Sequence, residues 1–102
     1  MDFYHRESFG SSVSLSSDGK ILAAGAPYND YNGSDSGRLV VYKWDEGLGE
    51  YLQRGKDILG DTRAYLGWSV ALSSDGKVVA VGAPYNRAGM SEFGIVRVYE
   101  WD

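Results

Sequence analysis

Residues 15–29 read LSSDGKILAAGAPYN, and residues 72–86 read LSSDGKVVAVGAPYN. The second stretch begins 57 residues after the first, and at that offset the register continues on both sides without a gap. Residues 9–45 set against 66–102 are identical at 21 of 37 positions, which chance does not produce. A period of this length points to a solenoid, a propeller or an array, in which each unit buries its faces against a neighbour.

Each unit reads as strands. SVSLSS (12–17) and SVALSS (69–74) alternate polar with apolar residues, the period of a strand with two distinct faces. Asp18-Gly19 and Asp75-Gly76 follow, a hairpin signal that predicts a type I′ turn with positive φ at both central residues. The partner strands KILAAGA (20–26) and KVVAVGA (77–83) are continuous, small and apolar, as in a strand buried on both sides. Gly25 and Gly82 mark close backbone approach. Pro27 and Pro84 end the strands, since proline cannot donate to the ladder.

A polar loop comes next, NDYNGSDSG (29–37) or NRAGMSEFG (86–94), and then a third strand, RLVVYKWD (38–45) or IVRVYEWD (95–102). Leu39 and Val41 alternate there with Val40, Tyr42 and Trp44, and Val96 and Val98 with Ile95, Tyr99 and Trp101. Both faces are largely apolar, so both want cover, and Trp44 and Trp101 are expected between the units. The turn EGLGE (46–50) leads into YLQRGKDILG (51–60), a fourth and outermost strand.

These residues resemble the FG-GAP repeat, the β-propeller blade of integrin α subunits and related extracellular proteins. Phe9-Gly10 and Leu66-Gly67 stand for the first element, and Gly25-Ala26-Pro27 and Gly82-Ala83-Pro84 for the second. The resemblance implies an all-β chain of two antiparallel four-stranded blades. The expected units are 1–57, a first blade with its N-terminal segment, and 58–102, a second blade truncated before its outer strand. Two full units would take 2 × 57 = 114 residues, so the counterpart of Glu46–Asp57 is missing, and DFYHR (2–6) is long enough to pair briefly in its place.

Two blades cannot close a ring that typically needs four to eight. Either copies of the chain assemble around one axis into an oligomeric β-propeller, as a homo-trimer of six blades or a homo-tetramer of eight, or the chain is a fragment of a longer propeller. The near-identity of the units favours assembly, because similar blades can replace one another at every interface.

The resemblance also raises calcium, since many such blades carry a DxDxDGxxD loop before the second element. Here only Asp18 and Asp75 are acidic, and Val, Leu, Ser and Ile hold the alternate ligand positions. In the long loop Asp30, Asn32 and Ser34 mimic the first three ligands of an EF-hand, but the closing position is Val41 rather than Glu. No metal or other cofactor is therefore expected.

Catalysis has little to stand on. The single His is His5 near the N-terminus, Cys is absent, and neither a GxSxG elbow nor a Walker A motif occurs. Binding through the loops at the ends of the strands fits better. The candidate ligand residues are Tyr28, Asn29, Asp30, Tyr31 and Asn32, matched by Tyr85, Asn86 and Arg87. The reading is a non-catalytic scaffold or protein-interaction module. The alternatives are a carbohydrate-binding lectin using these Tyr and Asn residues, and a calcium-dependent adhesion module. Asn32-Gly33-Ser34 is a glycosylation sequon whose meaning depends on secretion, and Asn-Gly is also a good turn pair. With eight Tyr, three Trp and 14 Gly, the composition suits a turn-rich β fold rather than disorder. A net charge of −4 with interspersed signs gives no footprint for nucleic acid. No run suits a membrane helix, and MDFYHRESFG (1–10) lacks the apolar core of a signal peptide. The family's extracellular setting is the resemblance's only pointer to location.

Overall fold

Period-two alternation, β-branched residues and turn-forming Asp-Gly pairs divide the described residues into eight strands in two antiparallel sheets. The computed structural model describes residues 8–85 and 94–101. His5, the segment 2–6 and the loop residues Asn86 and Arg87 lie outside the described residues. In the first sheet β1 (Ser12–Leu15), β2 (Ile21–Ala26), β3 (Arg38–Asp45) and β4 (Glu50–Gln53) pair in chain order, and β5 (Ile58–Leu59) also pairs with β3. The second sheet is β6 (Ser69–Leu72), β7 (Val78–Ala83) and β8 (Ile95–Glu100), again in chain order. No helix occurs among the described residues.

Equivalent strands keep the same register. Ser12 faces Gly25 as Ser69 faces Gly82, and Leu39 faces Gly25 as Val96 faces Gly82. The turns depart from expectation. The hairpins are not type I′, because only the glycines, Gly19 at φ +74° and Gly76 at +72°, are left-handed. Each loop is instead a turn closed by the glycine N–H on Ser16 or Ser73. The Asp18 carboxylate then accepts from the Lys20 N–H at 2.9 Å and the Ser16 hydroxyl at 2.8 Å, and Asp75 repeats the pattern with Lys77 and Ser73. These bonds to the charged form hold both carboxyls below their ordinary value.

The fourth strand is not continuous. β4 pairs with Tyr42–Asp45, the chain bulges through Gly55 at φ +77°, and β5 returns to pair with Arg38 and Leu39. The buried Arg38 guanidinium fixes this bulge by an ion pair to Asp57 at 3.1 Å. Ile58 and Leu59 thus hydrogen-bond into the first sheet, although they lie past the boundary expected at residue 57.

The core sits between the sheets. Ile21, Ala23, Leu39 and Val41 of the first meet Val79, Val81 and Ala83 of the second, and Ala64 and Leu66 of the connection fill the space between. Val70, Leu72, Tyr99 and Trp101 pack against this cluster. β6 lies against β1 and β2, so the strands nearest the seam carry the contact. There Gly25 and Gly67 touch backbone to backbone, and the Ser12 hydroxyl donates to the Gly67 carbonyl at 2.7 Å. The Leu72 N–H donates to Ser14 Oγ at 2.9 Å, and Ser17 donates through both its N–H and its hydroxyl to the Ser74 carbonyl at 2.9 Å.

Burial is unequal between the repeats. β2 is covered on both faces, with Ala24 and Ala26 buried as well as Ile21 and Ala23. β7 buries Val79, Val81 and Ala83 only, so the expected two-sided burial fails there. Its other face carries Val96 and Val98 of β8, 70 % and 64 % exposed. Trp101 packs toward the seam beneath the Arg54 guanidinium, whereas Trp44 lies on the opposite face of the first sheet and packs edge-on against Tyr51 at 5.1 Å. Trp44 therefore does not join the core between the two sheets, contrary to expectation.

Candidate binding surface

Pro27 and Pro84 stop β2 and β7 at the same end of the two sheets, and the chain that follows each builds the loop surface there. The first loop is held by its own polar groups. Asn29 is buried and accepts the Tyr31 N–H on Oδ1 at 2.9 Å, while its carbonyl accepts from the Gly37 N–H and the Ser36 hydroxyl. Asp30 Oδ1 accepts the Asp35 N–H at 2.7 Å. Asn32 donates its side-chain N–H to the Gly60 carbonyl at 2.9 Å, tying the loop to the connection between the sheets. The sequon nitrogen is thus engaged in the fold. The Ser34, Asp35 and Ser36 carbonyls accept in turn from Arg63, Tyr65 and Leu66.

Asp30, Asn32 and Ser34 therefore serve this hydrogen-bonded loop. Among the described residues no group of three or more His, Cys, Asp or Glu gathers where it could hold a metal ion. Tyr31 is exposed and lies 4.9 Å from the buried Arg38 guanidinium, which also faces Phe9 at 5.9 Å. These rings cover the cation where it leaves the sheet.

Tyr28 and Tyr85, the repeated pair, meet in one aromatic cluster with Tyr65 and Trp68. Tyr65 contacts Tyr28 at 5.6 Å, Tyr85 at 5.3 Å and Trp68 at 6.2 Å, all edge-to-face. Trp68 also meets Tyr28 at 6.5 Å and Tyr85 at 6.3 Å. Such contacts favour ring edges against ring faces, which fixes the cluster's geometry. Tyr28, Trp68 and Tyr85 keep nearly half of their surface open, while partial burial and the Asp35 carboxylate beside it push the Tyr65 phenol up. Pro27, Tyr28, Trp68 and Ser11 line a cavity of about 240 Å³. Sequence reasoning missed Tyr65 and Trp68 because their repeat counterparts are Ser8 and Ser11. The signal was present as a local break in the repeat, YLGWS against SFGSS.

Comparison with known proteins agrees with this geometry. The FG-GAP repeat family matches residues 2–42, and a β-propeller domain of unknown function (DUF5122) matches residues 73–98. No curated protein and no solved structure gives a significant match. The two matches fall one on each repeat, and together with the paired motifs they are consistent with an FG-GAP repeat family of β-propeller type.

Proposed function

We propose that this chain is a non-catalytic β-propeller interaction module that assembles with copies of itself into a closed ring of three or four chains. One observation carries the reading. Leu39 and Val41 are buried against the second sheet, while their counterparts Val96 and Val98 lie open on that sheet's other face. Soluble proteins rarely leave a contiguous apolar sheet face in water. The ring offers its loop ends for binding protein, since its strands are committed to packing. The test is sedimentation velocity over a concentration series. Association beyond the 11.2 kDa of one chain supports the reading, and a single chain throughout refutes it.

A second reading, carbohydrate binding, is favoured by the exposed rings of Tyr28, Trp68 and Tyr85, flat apolar faces of the kind that stack on sugars. Glycan-array binding lost in Trp68→Ala supports it, and an array without signal removes it.

A further inference from the structure

We infer that copies of this chain join head to tail, with the open face of the second sheet receiving strand β1 of the next copy. The inference rests on the self-assembly proposed above and adds the surfaces and their polarity. Its basis is the seam inside the chain, which the 57-residue repeat offers a second time.

On one side of that seam stand Ser12, Ile21, Ala23, Gly25, Leu39 and Val41. Their counterparts are Ser69, Val78, Ala80, Gly82, Val96 and Val98, which together form the open face of the second sheet. A groove runs over Ser69, Ala71, Ala80, Gly82 and Val96. The Ser69 hydroxyl is already placed as the Ser12 hydroxyl is, 2.5 Å from a Cβ built on Gly82 against 2.6 Å for Ser12 and Gly25. Ser12 uses that position to donate to Gly67 across the seam.

On the other side stand Gly67, Val70 and Leu72 of the connection and β6. Their counterparts are Gly10, Val13 and Leu15. Gly10 holds φ +94° and Gly67 +98°, so the backbone is set alike, yet a Cβ on Gly10 would meet nothing within 4 Å. Val13 and Leu15 are 62 % and 56 % exposed, where Val70 and Leu72 pack against the core. β6 makes the contact across the seam within the chain, and its counterpart β1, packed on β6 by one face, leaves the Val13 and Leu15 face open. The join thus sets Gly10 of the second copy on Gly82, with Ser69 donating to that Gly10 carbonyl. Ser74 then donates to the second copy's Ser17, as Ser17 donates to Ser74 inside the chain. Because the two surfaces differ, the contact is heterologous, and each added copy presents a fresh open face until the ring closes.

The experiment uses the full chain with Val96→Lys on one face and Leu15→Lys on the other. Both residues are more than half exposed in the single chain, so the folded β signal in circular dichroism is expected to be unchanged. Gly82→Ala serves as a second variant of the first face. Each variant alone should remain a single chain. An equimolar mixture of Val96→Lys and Leu15→Lys should give a species of two chains and nothing larger, because one intact surface of each kind survives in the pair. A wild-type mass retained by either variant would overturn the assigned surfaces while leaving self-assembly in place. Dimers formed by either variant alone would show a face pairing with itself, which also overturns the inference. A wild-type protein that stays single at every concentration would overturn the self-assembly reading and this inference together.

Discussion

Gly25→Ala and Gly82→Ala place the same methyl group at equivalent positions of the two sheets, and the structure assigns them very unequal effects on a single chain. At Gly25 the new Cβ would overlap the Gly67 carbonyl oxygen and lie 2.9 Å from its carbon and 2.6 Å from Ser12 Oγ. The obstacle is backbone, so relief requires the sheets to part locally. A gap of ~0.5–1 Å forfeits a quarter to a half of the dispersion energy of the atoms lining it. Overpacking of this kind costs about 1–3 kcal/mol, and loss of the Ser12–Gly67 hydrogen bond adds about 1 kcal/mol. Stiffening the unfolded chain returns about 0.4–1 kcal/mol. The net loss is about 1–3.5 kcal/mol, which lowers Tm by roughly 5–25 °C at the scale of a 100-residue domain. At Gly82 the new Cβ meets only the Ser69 hydroxyl at 2.5 Å, and the next atoms lie at 3.8 Å. A serine hydroxyl rotates away, so the expected change in Tm is under about 3 °C, by the same scale. The assay is thermal unfolding followed by tryptophan fluorescence, at a dilution where the chain is single. Equal shifts for the two variants would refute the claim that the sheets meet backbone to backbone at Gly25 and Gly67.

Three further outcomes follow from the packing and the charges. Leu66→Ala removes a fully buried side chain from the cluster between the sheets and should cost about 2–5 kcal/mol, read as a lower urea midpoint. Asp57→Ala removes the ion-pair partner of the Arg38 guanidinium, whose side chain is only 6 % exposed, and should cost about 2–3 kcal/mol by the same measurement, less than the about 3–5 kcal/mol of a fully buried pair because Asp57 is itself a quarter exposed. Asp18 and Asp75 have carboxyls lowered from 3.8 in the fold, so the unfolded chain binds more protons near that value. Their stabilisation is complete at neutral pH and is lost as pH falls below about 4 through the folded values. The double variant Asp18→Asn, Asp75→Asn should flatten that acid limb of a urea-midpoint profile, and an unchanged limb would contradict the hairpin geometry.

The repeat made the strands legible, because alternation and small-residue runs act locally and identically in both copies. Ser12–Leu15 and Ser69–Leu72, or Ile21–Ala26 and Val78–Ala83, occupy corresponding positions for that reason. What escaped were features set by contacts distant in sequence. The Asp-Gly pairs signalled a two-residue hairpin, but Ser16 and Ser73 recruit the Asp carboxylates into a longer loop that leaves only the glycines left-handed. The outer strand breaks because Asp57 turns toward Arg38, a partner 19 residues earlier. The candidate surface was partly legible. Tyr28 and Tyr85 were visible as repeated aromatics, whereas Tyr65 and Trp68, which draw them into one cluster, lie where the repeat lapses. Asn29 and Asp30 read as ligand groups, yet the loop uses their oxygens on its own N–H groups.

In the proposed ring the seam between the sheets is repeated between chains until the ring closes. Native mass spectrometry of the intact protein at neutral pH counts those chains. One dominant species at 3 × 11.2 or 4 × 11.2 kDa is expected, six or eight blades, with no ladder of larger forms. A single chain, a pair that grows no further, or an open series without a preferred number would contradict it.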